Sequence, residues 1–308
     1  MRFMLPLALI LIAGPAVAQG SGAPFTVGNR GFATLQEAVG AIGDGEGTIR
    51  IAPGTYRECA VQDAGRIAYV AAVPGRVVFT RVTCEDKAAL VLRGRGARVE
   101  GIVFSHLEVA DGNGAGIRLE KGPLTVENAM FLDSQSGILS ADDPAGTVTI
   151  DHSTFAGLGK DPTGNGAHGI YIGGYGALTV NASRFERGTG GHYLKSRAKR
   201  ITVADSSFDD TRGQATNYMI DLSNGAQGRI AGNTFVVGRN KDNHSTLITV
   251  APEGAKNDST GLVVENNIAT LAPGVTYKPV LVGNWSGEAL VLRDNRLGAG
   301  ISLTARRW

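Results

Sequence analysis

The sequence has few cysteines, few aromatic residues, little net charge and almost no long apolar runs. Only two cysteines occur among 308 residues, so neither a dense disulfide scaffold nor a Cys/His metal site organises the chain. The formal net charge of +2 gives no general attraction to nucleic acid or to a membrane surface. Beyond residue 18, no apolar run approaches the roughly 20 residues of a transmembrane helix, so we expect no membrane span.

The one apolar run lies at the N-terminus. It extends from Leu5 to Ile12 after the positively charged Arg2, and Ala16-Val17-Ala18 has the form of a cleavage site before Gln19. These features predict a signal peptide over residues 1–18, cleaved near Ala18. The mature chain is then expected to be secreted or periplasmic, and we expect a monomer.

The two cysteines, Cys59 and Cys84, are predicted to form a disulfide, because an exported chain matures in an oxidising compartment. Closing a loop of this size stabilises the fold by roughly 3 kcal/mol in the chain-entropy description. A catalytic thiol is the less favoured alternative.

Glycine is abundant, with 44 residues, and it separates short segments rich in valine, isoleucine and leucine. Residues 19–31 read as a loose lead-in. Thr34 and Glu37 then form a capping box before an apolar face spaced as in a helix, which predicts one short helix over residues 34–42.

From residue 99 onward one unit repeats: an alternating β-branched triplet, a polar turn, an apolar plug and a second short strand. The plugs of the clearest copies are Phe104, Phe131, Phe155, Phe185, Phe208 and Phe235. A unit of about 25 residues cannot bury its own apolar face, whereas stacked units can. The pattern predicts an all-β, single-stranded parallel β-helix of about 8–10 turns, forming a single domain over residues 19–308 with helix 34–42 as its N-terminal cap. A leucine-rich repeat is the alternative, but its leucine pattern is absent.

Two motifs support a family resemblance. They read Phe32-x-Thr34-Leu35-Gln36-x-Ala38-Val39 and Thr48-Ile49-x-Ile51-x-Pro53-Gly54-Thr55-Tyr56. With the repeats, residues 25–300 resemble the right-handed parallel β-helix proteins of the pectate-lyase-like superfamily, and the whole chain is similar to an exported bacterial group of poorly defined function. The resemblance implies a right-handed coil. It leaves the reaction open, because this superfamily includes lyases, hydrolases, epimerases and adhesins.

One strand carries the candidate site. In Gly191-His192-Tyr193-Leu194-Lys195-Ser196-Arg197, alternation predicts Leu194 and Ser196 inward and Tyr193, Lys195 and Arg197 outward. The same alternation in the neighbouring turns predicts that Tyr171 and Asp221 share their column, with His168 and His192 at the strand entries.

The surroundings of this strand favour an anionic ligand. Six lysines and arginines lie between Arg184 and Arg200 against the single Glu186, which predicts a basic patch that includes Arg187. Three inserts, at residues 157–168, 238–245 and 252–260, are expected to form walls beside the site. His168, Arg187, Asp221 and Asn224 are the predicted substrate-binding residues, with a turn or an asparagine ladder as the alternative for Asn224.

These residues suit β-elimination of a uronate polymer, and an acidic polysaccharide is therefore the expected partner. Arg197 is expected to hold the carboxylate, and Lys195 to act as the base because the like charge beside it favours the neutral amine. Tyr171 or His192 is the candidate acid. Asp221 argues against this assignment, since pairing with Lys195 would retain its proton. The catalytic prediction is thus Lys195, Arg197, His192 and Tyr171, and a surface ion-pair ladder is the alternative.

Other functions are less favoured. A non-catalytic glycan-binding or structural envelope protein is the second choice, and a glycoside hydrolase or epimerase the third, because the outward column shows one carboxylate. The pairs Asp151-His152 and Asp209-Asp210 are interpreted as turns. No cofactor and no metal site is predicted; Ca²⁺, which pectate lyases use, has no support in this sequence. Trp285 either stacks on a sugar ring or covers the last turn.

Overall fold

The computed structural model describes residues 22–164 and 166–304; the predicted signal peptide and its cleavage site lie outside them. Within the described residues the chain forms three long sheets and one short helix. Each turn of the coil adds one strand to each sheet, and successive turns pair in parallel, giving a β-helix of about nine turns.

The three sheets are named A, B and C in the order in which a turn visits them. Sheet A contains, in spatial order, Arg30–Phe32, Phe25–Val27, Glu46–Ile51, Arg66–Ala71, Gly96–Glu100, Leu124–Glu127, Thr147–Asp151, Ala177–Asn181, Arg200–Ala204, Gln227–Ala231, Val263–Glu265 and Val291–Arg293. Sheet B contains Gly54–Tyr56, Val77–Thr80, Ile102–Ser105, Met130–Leu132, Thr154–Ala156, Arg184–Glu186, Ser207–Asp209, Thr234–Val237, Ile268–Leu271 and Arg296–Leu297. Sheet C contains Ala60–Gln62, Ala88–Leu92, Ala115–Leu119, Ser136–Ser140, Ile170–Ile172, Leu194–Ser196, Ile220–Leu222, Thr246–Val250, Val280–Asn284 and Ser302–Thr304.

The apolar plugs of the repeat form the strands of sheet B. Their phenylalanines point inward and stack from Phe79 to Phe235, with ring centroids 4.5–6.1 Å apart. The prediction of two strands and a plug in each turn is therefore corrected to three strands. The reason is that parallel pairing between turns gives even a three-residue segment backbone partners on both sides.

A polar ladder lies at the corner between sheets A and B. Asn233 and Asn267 each donate a hydrogen bond from their side chain to the next asparagine of the ladder, which ends at Asn295. Asn233 and Asn267 therefore belong to an asparagine ladder, whereas Asn266 lies in the turn itself with a φ of 54°.

The segment predicted as a loose lead-in is partly ordered as strand. Phe25–Val27 and Arg30–Phe32 form an antiparallel hairpin, and the first of them pairs antiparallel with Glu46–Ile51. Phe25 is fully buried beside Tyr56, so burial of an aromatic ring holds this hairpin against the first turn.

The helix extends over Leu35–Ile42, with the predicted capping box between Thr34 and Glu37. Leu35, Ala38 and Val39 are buried, and Gln36 exchanges hydrogen bonds with the backbone of Val61 in the first strand of sheet C. The helix thus packs on the first turn, while its role as a cap stays a prediction.

The disulfide between Cys59 and Cys84 is confirmed, with a Cα–Cα distance of 5.5 Å. It joins the approach to the first strand of sheet C to the loop that precedes the second. No helix among the described residues is long and apolar enough to cross a membrane.

Candidate functional site

The outer face of sheet C brings together the residues that alternation predicts. Tyr171 is in register with Lys195, and Lys195 with Asp221, on three consecutive strands. Leu194 and Ser196 point inward and are almost fully buried. Register and alternation alone therefore place a phenol, an ammonium and a carboxylate in one column about 4.8 Å apart.

The prediction that Tyr193 points outward is wrong. Its side chain is buried, and its hydroxyl donates a hydrogen bond to Asp210 Oδ1 at 2.6 Å while accepting one from the Gly188 amide. The strand begins only at Leu194, so the alternation that orients Lys195 does not extend back to residue 193.

Lys195 lies between two carboxylates. Its ammonium donates a hydrogen bond to Glu253 Oε1 at 2.5 Å and lies 3.6 Å from Asp221 Oδ2. Arg197 contacts the other oxygen of Glu253, so one carboxylate bridges both cations. In this arrangement both cations are directed at a single carboxylate.

Asp221 is a buried carboxylate with every oxygen engaged. Ser223 and Thr249 donate hydrogen bonds of 2.8 and 2.9 Å to its two oxygens. Burial raises the pKa of Asp221 above its ordinary value, although Lys195 and these hydrogen bonds act in the opposite direction. With a side chain only 2% exposed, Asp221 holds Lys195 from beneath rather than meeting a ligand.

His168 and His192 form a stack with two tyrosines. The ring centroids follow the order Tyr171, His168, His192, Tyr218, with separations of 5.9, 4.8 and 5.2 Å. Sequence reasoning missed Tyr218, although it occupies the position equivalent to His168 and His192 at the entry of the next strand.

Backbone amides fix the tautomer of both imidazoles. His168 Nδ1 accepts the amide of His192, and His192 Nδ1 accepts the amide of Tyr218, each at 3.1 Å. The proton of each neutral ring therefore lies on Nε2. In His192 this nitrogen faces Asp221 at 3.5 Å, which leaves that ring no free nitrogen for a substrate.

Both imidazoles are neutral at pH 7. Burial, followed by the charge of Lys195, lowers the pKa of His168 to about 3. Burial also lowers the pKa of His192 well below its ordinary value, with His168 and Lys195 adding to the effect.

Tyr171 forms one side of the site. Its ring lies 6.0 Å from Lys195 Nζ and 5.5 Å from the guanidinium carbon of Arg197, both within cation–π range. The half-buried phenol thus borders the same space as the two cations.

Glu253 is a second residue of the site that sequence reasoning missed. It lies in the insert at residues 252–260, which was predicted as a wall of the site, and it is 58 residues from Lys195. The Glu253 amide donates to Ser223 O at 3.0 Å, Asn224 Nδ2 contacts Gly254 O at 3.4 Å, and Asn257 Nδ2 donates to Arg197 O. Asn224 therefore anchors the loop that carries Glu253.

Ion pairing and partial burial have opposite effects on the pKa of Glu253. Partial burial raises its pKa, but the hydrogen bond from Lys195 and the charges of Lys195 and Arg197 outweigh burial, so the net pKa is lowered. The carboxylate is ionised at neutral pH and its side chain is 41% exposed.

The predicted basic patch does not form. Arg184 and Arg187 belong to sheet B and its following corner, where they pair with Glu186 and Asp133, and Arg200 begins a strand of sheet A. One turn of the coil distributes these residues over three faces. Among the described contacts of Arg187, none reaches Lys195 or Arg197.

The two acidic residues at 209 and 210 differ in role. Asp209 accepts the Thr211 amide, as expected of a turn, but Asp210 is fully buried. Its carboxylate receives hydrogen bonds from Tyr193 and Thr216 and lies 3.4 Å from Lys241 Nζ, whose pKa burial lowers. This network fixes the strand entries that carry His192 and Tyr218.

Trp285 lies on the same outer face, two strands beyond Asp221. It is 52% exposed, and its ring packs so closely over Gly283 that a Cβ there would lie 2.5 Å from it. The residue both covers the backbone of the column and leaves an open aromatic surface.

No group of three or more His, Cys, Asp or Glu side chains suited to a metal ion occurs among residues 22–164 and 166–304. The site presents an aromatic side, two cations joined by a partly exposed carboxylate, and a buried carboxylate beneath them.

Two solved structures share this architecture. The PL6 family alginate lyase AlyGC superposes with a TM-score of 0.55 at 11% identity over 82% of this chain, which spans only 36% of that lyase. Rice weevil pectin methyl esterase gives a TM-score of 0.54 at 12% identity, covering 93% of this chain and 92% of its own. At such identities the likeness concerns the fold alone.

No curated protein matches the sequence. Residues 115–295, more than half of the chain, match the family model described as the right handed beta helix region. That range contains Tyr171, Lys195, Asp221 and Glu253, and the match confirms the predicted resemblance to right-handed β-helix proteins. This chain therefore belongs to the right-handed β-helix family.

Proposed function

We propose that this chain is a carbohydrate-active protein that binds the carboxylate of a uronate-containing glycan between Lys195 and Arg197. The observation that carries the proposal is the bridge formed by Glu253, whose two oxygens contact the two cations. A substrate carboxylate would need the same position, and Glu253 is sufficiently exposed to leave it. The two structural relatives are named as an alginate lyase and a pectin methyl esterase, which supports an acidic glycan.

The reaction that we assign is β-elimination. A base removes the C5 proton, the C4–O bond breaks, a C4–C5 double bond forms, and the leaving oxygen takes up a proton. Arg197 holds the substrate carboxylate, and Lys195, released from Glu253, is the base. Tyr171 is the acid; His192 is no longer a candidate, because both of its ring nitrogens are engaged.

Non-catalytic binding is the second candidate, and one observation favours it. Asp221 lies 3.6 Å from Lys195 on the side away from solvent, and this buried carboxylate stabilises the ammonium independently of Glu253. A hydrolase stays third. Glu253 is a second carboxylate beside the predicted Asp221. However, Asp221 is buried and Glu253 is paired with two cations, so the two do not form the accessible acid–base pair that a hydrolase needs.

The disulfide supports export of the chain. The disulfide between Cys59 and Cys84 is stable in an oxidising compartment, where an extracellular or periplasmic glycan would be met. We propose a secreted or periplasmic monomer, with the chain after residue 18 as one domain.

To test the proposal, the purified protein is mixed with polymannuronate, polyguluronate or polygalacturonate. Ultraviolet absorbance detects the unsaturated uronates that a lyase forms, and calorimetry measures binding. A lyase gives absorbance that Lys195→Ala abolishes. A binder gives heat of binding without absorbance, lost in Arg197→Met. The matched control is Arg98→Met, an arginine paired with Glu127 on sheet A. Neither binding nor product with any of the three polymers would refute the proposal.

A further inference from the structure

Arg118 lies on the same outer face of sheet C as Lys195. It is in register with Leu139, Leu139 with Tyr171, and Tyr171 with Lys195. Three steps between parallel strands separate the two cations along the coil, about 14 Å. A single sugar acid is too short to contact both.

The guanidinium of Arg118 donates no hydrogen bond within the described part of the chain. The carboxylate of Glu120 is 3.7 Å from its Nε, and the two oxygens of Glu120 are already bonded to Lys87 at 2.8 Å and Arg93 at 2.5 Å. Arg118 is therefore a half-buried cation whose local carboxylate is already engaged by other cations.

Other arginines on the strands differ from Arg118. Arg98 and Arg229 donate hydrogen bonds to carboxylates of neighbouring turns. Arg50 and Arg200 donate none to a carboxylate among the described residues, but both are exposed to solvent. Arg118 is instead half-buried, and its Nε has no hydrogen-bond partner.

Two buried side-chain donors in the described residues lack a hydrogen-bond partner, Nε of Arg118 and Nε of Arg197. Leaving such a donor unbonded costs roughly 1–3 kcal/mol. Both atoms belong to guanidinium groups on the outer face of sheet C. Their coincidence on one face points to a shared ligand rather than to two unrelated defects in packing.

The surface between the two cations suits a sugar chain. Leu139 and Tyr171 occupy the intervening positions of the column, and both are half-buried. Leu139 packs on Val91 and Ala115, which makes it a fixed apolar floor. The apolar face of a pyranose ring can lie on such a floor while its carboxylate reaches a cation at either end.

We infer that Arg118 forms a second carboxylate subsite, so that the outer face of sheet C binds a linear polyuronate lying along the coil axis. This inference rests on the proposed function of Lys195 and Arg197. It adds a substrate class, since the ligand must be a polymer with several carboxylates rather than an isolated sugar acid.

The experiment measures calorimetric affinities of mannuronate and galacturonate oligomers, from dimers to hexamers, for the full chain and for Arg118→Gln. We expect affinity to rise with oligomer length in the wild type. Arg118→Gln should weaken hexamer binding roughly tenfold and leave dimer binding unchanged. Arg118→Lys, which keeps the charge but loses the planar fork, should fall between them.

The matched control is Arg98→Gln, on sheet A, which should bind every oligomer as the wild type does. Wild-type hexamer affinity in Arg118→Gln, with dimers still bound at Lys195 and Arg197, overturns the second subsite alone. Equal affinity for dimers and hexamers in the wild type overturns it too. Failure of every oligomer to bind counts against the proposed function itself. Circular dichroism of each variant verifies that the coil is intact.

Discussion

The outer faces of sheets A and C are built from the same turns, yet they carry different kinds of side chain. Four consecutive turns give sheet A a uniform column, Thr125, Thr149, Thr179 and Thr202. The corresponding column of sheet C changes at every turn, through Tyr171, Lys195, Asp221 and Thr249.

The two columns also differ in what covers them. The threonines are exposed or half-exposed, and a β-branched residue on an open strand needs no further reason than its strand propensity. Lys195 and Asp221 are buried beneath the loop of Glu253. Burying charges costs free energy that the fold does not require, so the covered column, not the regular one, marks the site.

The largest expected effect comes from removing the cation of the covered column. Lys195→Met should lower the free energy of unfolding by about 3–5 kcal/mol at pH 7, because buried Asp221 loses its partner. Urea titration measures this. The double variant Lys195→Met with Asp221→Asn should recover much of the loss, since no unpaired charge then remains. A loss below about 1 kcal/mol in the single variant would contradict the buried-pair description.

The next largest effect is a pH dependence of folding stability that arises from the histidines of the covered face. The folded-state pKa of His168 is about 3, below its ordinary 6.5, so between these values the unfolded chain binds a proton that the native chain does not. Stability should therefore fall as the pH drops from 6.5 toward 3, by up to about 1.4 kcal/mol per pH unit for each buried histidine.

Urea unfolding midpoints measured between pH 7 and pH 4 test this slope of stability against pH. His168→Asn and His192→Asn should each flatten it. The control on the other face is His152→Asn, an exposed imidazole in the turn after a strand of sheet A. If His152→Asn flattens the slope as much as His168→Asn and His192→Asn do, the comparison between the faces fails.

A smaller change in stability is expected when the carboxylate of Glu253 is removed. Glu253→Gln should alter stability by no more than about 1 kcal/mol, since the side chain is 41% exposed and its ion pairs are screened. The same variant should bind uronate oligomers more tightly than the wild type, because the competing carboxylate is gone. Calorimetry with a galacturonate hexamer measures both the sign and the size. Weaker binding would indicate that Glu253 contacts the ligand instead of competing with it.

The smallest effect is expected on the open face. Thr179→Val should change the free energy of unfolding by less than about 0.5 kcal/mol, because the residue is half-exposed and valine favours strands at least as well. A destabilisation of more than about 1 kcal/mol would give the threonine column a structural role and weaken the contrast with sheet C.

Much of the fold follows from the sequence, because its repeat and its alternation are local properties. The inward direction of Leu194 and Ser196, and the register of Tyr171, Lys195 and Asp221, follow from two-residue alternation on stacked strands. The outward direction predicted for Tyr193 is wrong because the strand starts at Leu194, and alternation does not reveal where a strand starts. The third strand of each turn was missed because three residues are too few to show any period.

The sequence by itself determined the coil and the column that carries Lys195, since both depend on spacing within and between repeats. It also determined the helix at Leu35–Ile42, through its capping box and apolar spacing, and the disulfide, because only two cysteines are present. Only the tertiary structure placed Glu253 between Lys195 and Arg197, dispersed the predicted basic patch over three faces and left Arg118 without a hydrogen-bond partner. Backbone hydrogen bonding repeats from turn to turn and can be extrapolated. The path of an insert depends on side-chain contacts with other turns, such as those of Asn224 and Asn257, and no local spacing encodes them.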